Sequence, residues 1–349
     1  MDPRLEQLFS FLAEVDFAGY SPVYADLARH CADDSEIHAF INSAMAPNSR
    51  RGRMPVLFFA ATHDIVLQQP DSTLAAIYRG ESHDDPWPHF RRLLHDHRDE
   101  LTKTFANRSV QTNEVGRAAA FLAGLSYLNA DRPIAIVEIG TSAGLNQALD
   151  QFCVHYDFDD EDAIVIGPTQ SPVQLHCEIR SDVFPLPSPF TIALRIGIDV
   201  NPIDVRSEIE QRWLRACIWP GQQQRLQMLN AAIEIAQQYP PQFVAGDASE
   251  ATRGVIDSLP DGVLPVVLSS WVLAYFSAEQ RDTFISSLDG IDVLTFEDIA
   301  YTPWIEGPEE SFAHVEQGGT ITTLGLRSRD GSNRALAVGH PHGRWLNWL

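Results

Sequence analysis

The sequence is short of positive charge and almost without lysine. Lys103 is its only lysine, and 47 acidic side chains stand against 25 basic ones, a formal net charge of −22. A broad face that follows a phosphate backbone is therefore not expected, and neither is a nucleic-acid partner. Cysteine is also scarce. Cys31, Cys153, Cys177 and Cys217 lie far apart with no C-x-x-C pair, which argues against a disulfide framework or a zinc site and for reduced thiols in a cytoplasmic protein. No basic segment followed by an apolar run opens the chain, so a signal peptide is not expected. The most apolar run, Val263 to Phe276, is interrupted by Pro265, Ser269 and Ser270 and is too short to span a bilayer.

What is present is globular. The 349 residues are 44% hydrophobic, enough for a sizeable core in one large domain or two ordinary ones. Residues 1 to about 130 read as helices only. Leu5, Leu8, Phe9, Leu12 and Val15 recur at helical spacing, and Ser21-Pro22 is an N-cap followed by proline at the first helical position. Further short helices are expected at 35–45, 54–68 and 72–79. A longer one starts at Asp85-Pro86, with Phe90, Leu93, Leu94, Leu101 and Phe105 on its apolar face.

From residue 131 the pattern alternates between strands and helices, which predicts an α/β domain with a mostly parallel sheet. Strands are expected at 134–139, 192–198, 242–245, 264–270, 292–297, 319–326 and 334–339. Helices are expected at 144–153, 206–217, 222–238, 250–258, 278–287 and 308–315. A β insert at about 154–190 carries two strands, 163–166 and 173–179. The turn-rich link at 328–333 leaves no room for a helix, so the final two strands should form an antiparallel hairpin at one edge. The helical region is expected to pack on, or cap, the sheet domain.

In such sheets ligands bind beyond the carboxyl ends of the strands. Chemistry-bearing residues recur there: Glu138 and the loop Gly140, Thr141, Ser142, Gly144 and Asn146; then Asp199; then Asp247 and Ala248; then Ser270, Trp271 and Tyr275; then Glu297 and Asp298. Asp199 suits ribose hydroxyls, because a carboxylate accepts two bonds from a diol. Asp247 could accept from an adenine amino group while Ala248 donates its backbone N–H. Each acid alone is better explained by a turn or cap; their recurrence points to a cofactor site. Gln111, Asn113 and Glu114 are either a helix-capping phrase or the lining of a substrate pocket. There Glu114, and less readily Tyr275, would serve as the general base. Trp271 is expected in the pocket wall. No histidine grouping has metal-ligand spacing.

Gly140-Thr-Ser-Ala-Gly144 also satisfies G-x-S-x-G, the turn that carries a nucleophilic serine in some hydrolases. Ser142 would then need an acid, Asp247 or Asp298, and a base, His314 or His340. The loop follows the first sheet strand, without a preceding H-G-G-G stretch, and Glu138 sits at the strand end. Both features favour a cofactor loop over a nucleophile elbow.

The C-terminal part resembles class I S-adenosylmethionine-dependent methyltransferases. Val137-Glu-Ile-Gly-Thr-Ser-Ala-Gly144 is similar to their first motif, with Ser142 where the middle glycine usually stands. The resemblance implies a Rossmann-like methyltransferase-type sheet, S-adenosylmethionine as cofactor and a small-molecule substrate. A non-catalytic member of the same fold, binding a metabolite or a protein, is the alternative. Nearly the whole chain resembles an uncharacterised bacterial family, domain of unknown function 2332. Its phrases are matched by Gln111-Thr-Asn-Glu114, Glu138 to Asn146, Arg195-Ile-Gly-Ile-Asp-Val-Asn-Pro202, Trp213-Leu-Arg-Ala-Cys-Ile-Trp-Pro220 and Ser270-Trp-Val-Leu-Ala-Tyr275.

Overall fold

The computed structural model describes residues 1–44, 54–111, 113–159, 162–185, 187–307 and 321–349. The chain divides into two compact units, Met1–Thr112 with Arg206–Gln227, and Asn113–Val205 with Met228–Leu349.

The first unit is helical. Its helices include Pro3–Phe11, Pro22–Ala32, Ser35–Ala44, Met54–Gln68, Thr73–Tyr78, Pro86–Asp96, Arg98–Asn107 and Glu208–Ala216. Asp2, Ser21, Ser72 and Asp85 each accept a backbone N–H at a helix start, relieving donors that have no partner inside the helix. The core is aromatic: Phe9 meets Phe58 and Phe59 edge-on, and Phe17 does the same with Tyr24, Phe59 and Trp219. The long helix expected after Asp85 is two helices. His97 leaves helical geometry at φ −117°, ψ 23°, yet Phe90, Leu93, Leu94, Leu101 and Phe105 still share one core.

The second unit is built on one sheet. Its strands are β1 (Ile134–Ile139), β2 (Cys153–Asp157), β3 (Ile164–Ile166), β4 (Gln174–Ile179), β5 (Ile192–Asp199), β6 (Gln242–Ala245), β7 (Leu264–Ser270), β8 (Asp292–Glu297), β9 (Thr322–Arg327), β10 (Asn333–Gly339) and β11 (Trp345–Trp348). They lie in the order β3-β2-β4-β11-β10-β9-β8-β7-β1-β5-β6. From β6 to β8 every pair is parallel, whereas β9 runs antiparallel to β8, and β10 antiparallel to β9. β1 and β8 are buried at every position, as strands covered on both faces must be. Within the parallel run, β5 and β6 lie on one side of β1, and β7 and β8, later in the chain, lie on the other. The strand order thus reverses at β1.

Two expectations need correction, and a third is extended. The helix expected at 144–153 is a short 3-10 segment, Leu145–Gln151, interrupted at Ala148 (φ −98°, ψ 24°). The chain is extended again from Phe152, and Cys153, Val154 and Tyr156 are buried as strand residues. The two strands of the insert exist with β2 between them, and β4 brings all three into the same sheet by pairing with β11. The β9–β10 hairpin is interior and not at an edge, because β11 pairs with β10 on one side and β4 on the other. The helix expected at 308–315, and residues 319–320 of the sixth core strand, lie outside the described residues. Among the described residues no helix is long and apolar enough to cross a membrane.

Candidate functional site

Strand β1 ends against β7, at the point where the strand order reverses, and both strands leave in unusual backbone. After β1, Gly140, Ser142 and Gly144 have φ of 59°, 53° and 67°; after β7, Trp271 has φ of 57°. Glycine is required at 140 for a second reason. A Cβ there would come within 2.3 Å of Val272 Cγ2, so the loop after β1 and the loop after β7 are in direct contact. Left-handed backbone at a serine and a tryptophan costs energy that the surroundings must offset, and such residues gather at functional sites.

The surroundings of Ser142 do offset it. The four successive N–H groups from Thr141 to Gly144 all donate inside the fold, to Ile198 O (3.3 Å), Asp199 Oδ2 (2.8 Å), Asn113 Oδ1 (3.1 Å) and Thr141 O (2.8 Å). Asn113 Nδ2 donates to Ser142 Oγ (3.0 Å), and the Ser142 carbonyl accepts from Ile203 N (2.9 Å). Asp199 also takes the N–H of Asn201 (2.8 Å) on its other oxygen. The loop therefore offers no open nest of N–H groups to a phosphate. Asp199 keeps spare lone pairs, since each carboxylate oxygen carries two.

Beneath the loop lie two buried acids. Glu138 accepts from Thr141 Oγ1 (2.6 Å), and its burial pushes the carboxyl up to about 7. Glu297, at the end of β8, accepts from Ser269 Oγ (2.7 Å) and from the N–H groups of Val272 (2.9 Å) and Leu273 (3.2 Å) through one oxygen. Burial raises its pKa too, although the nearby Arg117 guanidinium opposes the shift at both acids. Glu297 Oε2 is buried with no hydrogen-bond partner. Arg117 is itself buried; its Nε donates to Pro341 O (3.0 Å) and its Nη1 to Ser270 Oγ (3.1 Å).

Glu114 and His342 form a second polar pair in this unit. Glu114 Oε2 lies 3.2 Å from His342 Nδ1, and Asn146 Nδ2 donates to the Glu114 carbonyl (3.2 Å). Gly116 lets the chain reach this place: a Cβ on it would fall 2.2 Å from the His342 carbonyl oxygen. Buried polar atoms without a partner include Asn146 Oδ1, Gln147 Oε1 and Trp271 Nε1. Such atoms call for a ligand or ordered water.

Most of the residues expected at strand ends are thus brought together: Asn113, Ser142 and Asp199 in one network, Glu138 with Thr141, Glu114 with Asn146, and Ser270 through Arg117. Asp247 is exposed and caps its helix through Ser249 N (2.8 Å), with Ala248 buried at the first helical position. Tyr275 is 39% exposed on a 3-10 turn. Gln111 belongs to the helical unit, where its backbone bonds the Cys217 thiol, and Thr112 lies outside the described residues. Asp298 caps a 3-10 turn, His340 accepts from His342 N (3.0 Å), and His314 lies outside the described residues. Arg117 and His342 escaped the strand-end rule. Arg117 opens a helix, and His342 lies in the turn after β10, beyond the parallel strands to which that rule was applied.

Among the described residues no three His, Cys, Asp or Glu side chains gather as metal ligands. No curated protein matches the chain. The motifs that surround this site, from Gln111-Thr-Asn-Glu114 to Ser270-Trp-Val-Leu-Ala-Tyr275, fall within one continuous family match over residues 6–348. The chain therefore belongs to the family described as uncharacterized protein conserved in bacteria, DUF2332.

Proposed function

We propose that the sheet unit binds a phosphate-free nucleoside, S-adenosylmethionine foremost, above the Gly140–Gly144 loop, as a methyltransferase-like enzyme acting on a small molecule. One observation carries the reading. The order β6-β5-β1-β7-β8 matches the 3-2-1-4-5 run of doubly wound nucleotide-binding sheets, with the strained loops of Ser142 and Trp271 at its switch point. Asp199 at the end of β5 and Asp247 at the end of β6 then stand where ribose and adenine are read. Internal use of the N–H groups from Thr141 to Gly144 supports a nucleoside over a dinucleotide, whose pyrophosphate needs such donors free.

The cofactor would supply an electrophilic methyl group. The protein's part is to align the acceptor and to take up its proton. His342, oriented by Glu114, is the base best placed for that step, with Glu114 acting through it. Calorimetric titration of the full chain tests the reading. S-adenosylmethionine and S-adenosylhomocysteine should bind, and NADH should not. Asp247→Ala should weaken the nucleosides. Absence of heat with both nucleosides from folded protein would overturn the proposal.

A further inference from the structure

The chain passes between the two units at three places, Thr112–Asn113, Val205–Arg206 and Gln227–Met228. The last lies inside the continuous helix Gln223–Gln238. Beside each of the other two, on the sheet side, stands a residue that holds Ser142. Asn113 is the first residue of the sheet unit; its Nδ2 donates to Ser142 Oγ (3.0 Å) and its Oδ1 accepts from Ala143 N (3.1 Å). Ile203, two residues before the second place, donates its N–H to the Ser142 carbonyl (2.9 Å). Ile203 and Val205 are buried, and the Val205 carbonyl accepts from Gln237 Nε2 (2.9 Å), so this stretch is packed backbone and not slack chain.

Ser142 is held at φ 53°, where a serine is strained and a glycine is not. Such backbone lasts only while its surroundings over-determine it. Asn113 grips the side chain and Ile203 grips the carbonyl, on a residue whose backbone relaxes once it is released. The two grips therefore support each other. Loss of either one favours the relaxed loop, in which the other is lost too. Linked equilibria are reciprocal, so whatever steadies the left-handed loop steadies both segments.

We propose that Ser142 is a latch joining the two non-helical connections of the chain: its left-handed state keeps the segments at Asn113 and Ile203 ordered together, and release of one loosens both. A ligand seated above the loop then stiffens both connections. That last step rests on the nucleoside reading; the latch itself does not. Amide hydrogen exchange of the full chain, read by mass spectrometry, tests it. Asn113→Ala removes the bonds to Ser142 Oγ and Ala143 N at the first connection. It should speed exchange of the peptide carrying the Ile203 amide, at the second connection, by about tenfold, the worth of about one hydrogen bond. Strands β9 and β10 should exchange as before. On a Ser142→Gly background the same substitution should change Ile203 far less, because glycine keeps the left-handed φ unaided. A rise confined to the residues beside 113, one shared equally by β9 and β10, or one undiminished in the glycine background would overturn the proposal. In the unaltered protein, S-adenosylhomocysteine should slow exchange at both connections. Binding that slows one and not the other would also overturn it. Absence of binding would overturn the nucleoside reading, and the latch is then decided by the ligand-free comparison.

Discussion

Asp199 Oδ2 holds the backbone N–H of Ser142 at 2.8 Å, so the end of β5 fixes the conformation of the loop that follows β1. Both groups are buried, and the bond ties a carboxylate to a residue in left-handed backbone. Asp199→Ala strands the N–H groups of Ser142 and Asn201 and should cost about 1–3 kcal/mol in urea denaturation. Asp199→Asn keeps an acceptor and should cost less. Equal stability of the alanine variant and the unaltered protein would refute the bracing role.

Ser142 stands where glycine would be unstrained. Ser142→Ala loses the bond from Asn113 and keeps the left-handed φ, whereas Ser142→Gly loses the bond and removes the strain. The glycine variant should therefore be the more stable of the two by about 1 kcal/mol. Thermal denaturation of the pair decides it, and the reverse order would mean that the backbone here is not strained.

Gly140→Ala places a methyl group against Val272 and adds the left-handed penalty. A loss of about 1–3 kcal/mol is expected. Val272→Ala in the same chain should restore part of it, because the clash but not the φ penalty is then relieved. A double variant no better than the single one would show that φ alone matters.

Glu138 gives the fold a pH dependence of definite sign. The folded protein holds this proton up to about pH 7, while the unfolded chain releases it near the ordinary value of 4.5. The fold binds more protons between those values, so the contribution is complete below about pH 4.5 and is lost as pH rises through 7. The slope is about 1.4 kcal/mol per pH unit at most. Urea midpoints at several pH values should show the unaltered protein losing ground to Glu138→Gln across that window. Parallel curves for the two proteins would show that Glu138 does not titrate there.

The parallel centre of the sheet was legible in the sequence because buried strands announce themselves. β1, β7 and β8 each carry a short apolar segment, Ile134–Val137, Val266–Leu268 and Val293–Leu294, and the strand-end rule then led to Glu138, Ser142 and Asp199. β2 was not legible, since Cys153 to Asp157 follows a segment with helical spacing and only the break at Ala148 separates them. β11 is four residues long, too short for periodicity to identify. Arg117 and His342 eluded the same reading for another reason. Arg117 meets Pro341 and Ser270, and His342 meets Glu114, across the length of the unit. Local pattern carries no trace of such partners. The saturation of the loop N–H groups was equally invisible, because it depends on Asn113 and Asp199 arriving from two other segments.

Strand β11 has a consequence for how the chain is made. It is translated after both of its neighbours, β4 and β10, and it is the piece that joins them. Until Trp345–Trp348 have left the ribosome, the nascent sheet exists as two separate fragments, each with an unpaired edge facing where the other must go. Exposed edges of this kind recruit foreign strands. The sheet cannot be completed strand by strand behind the ribosome, and during that interval the newly made chain is most in need of chaperone protection.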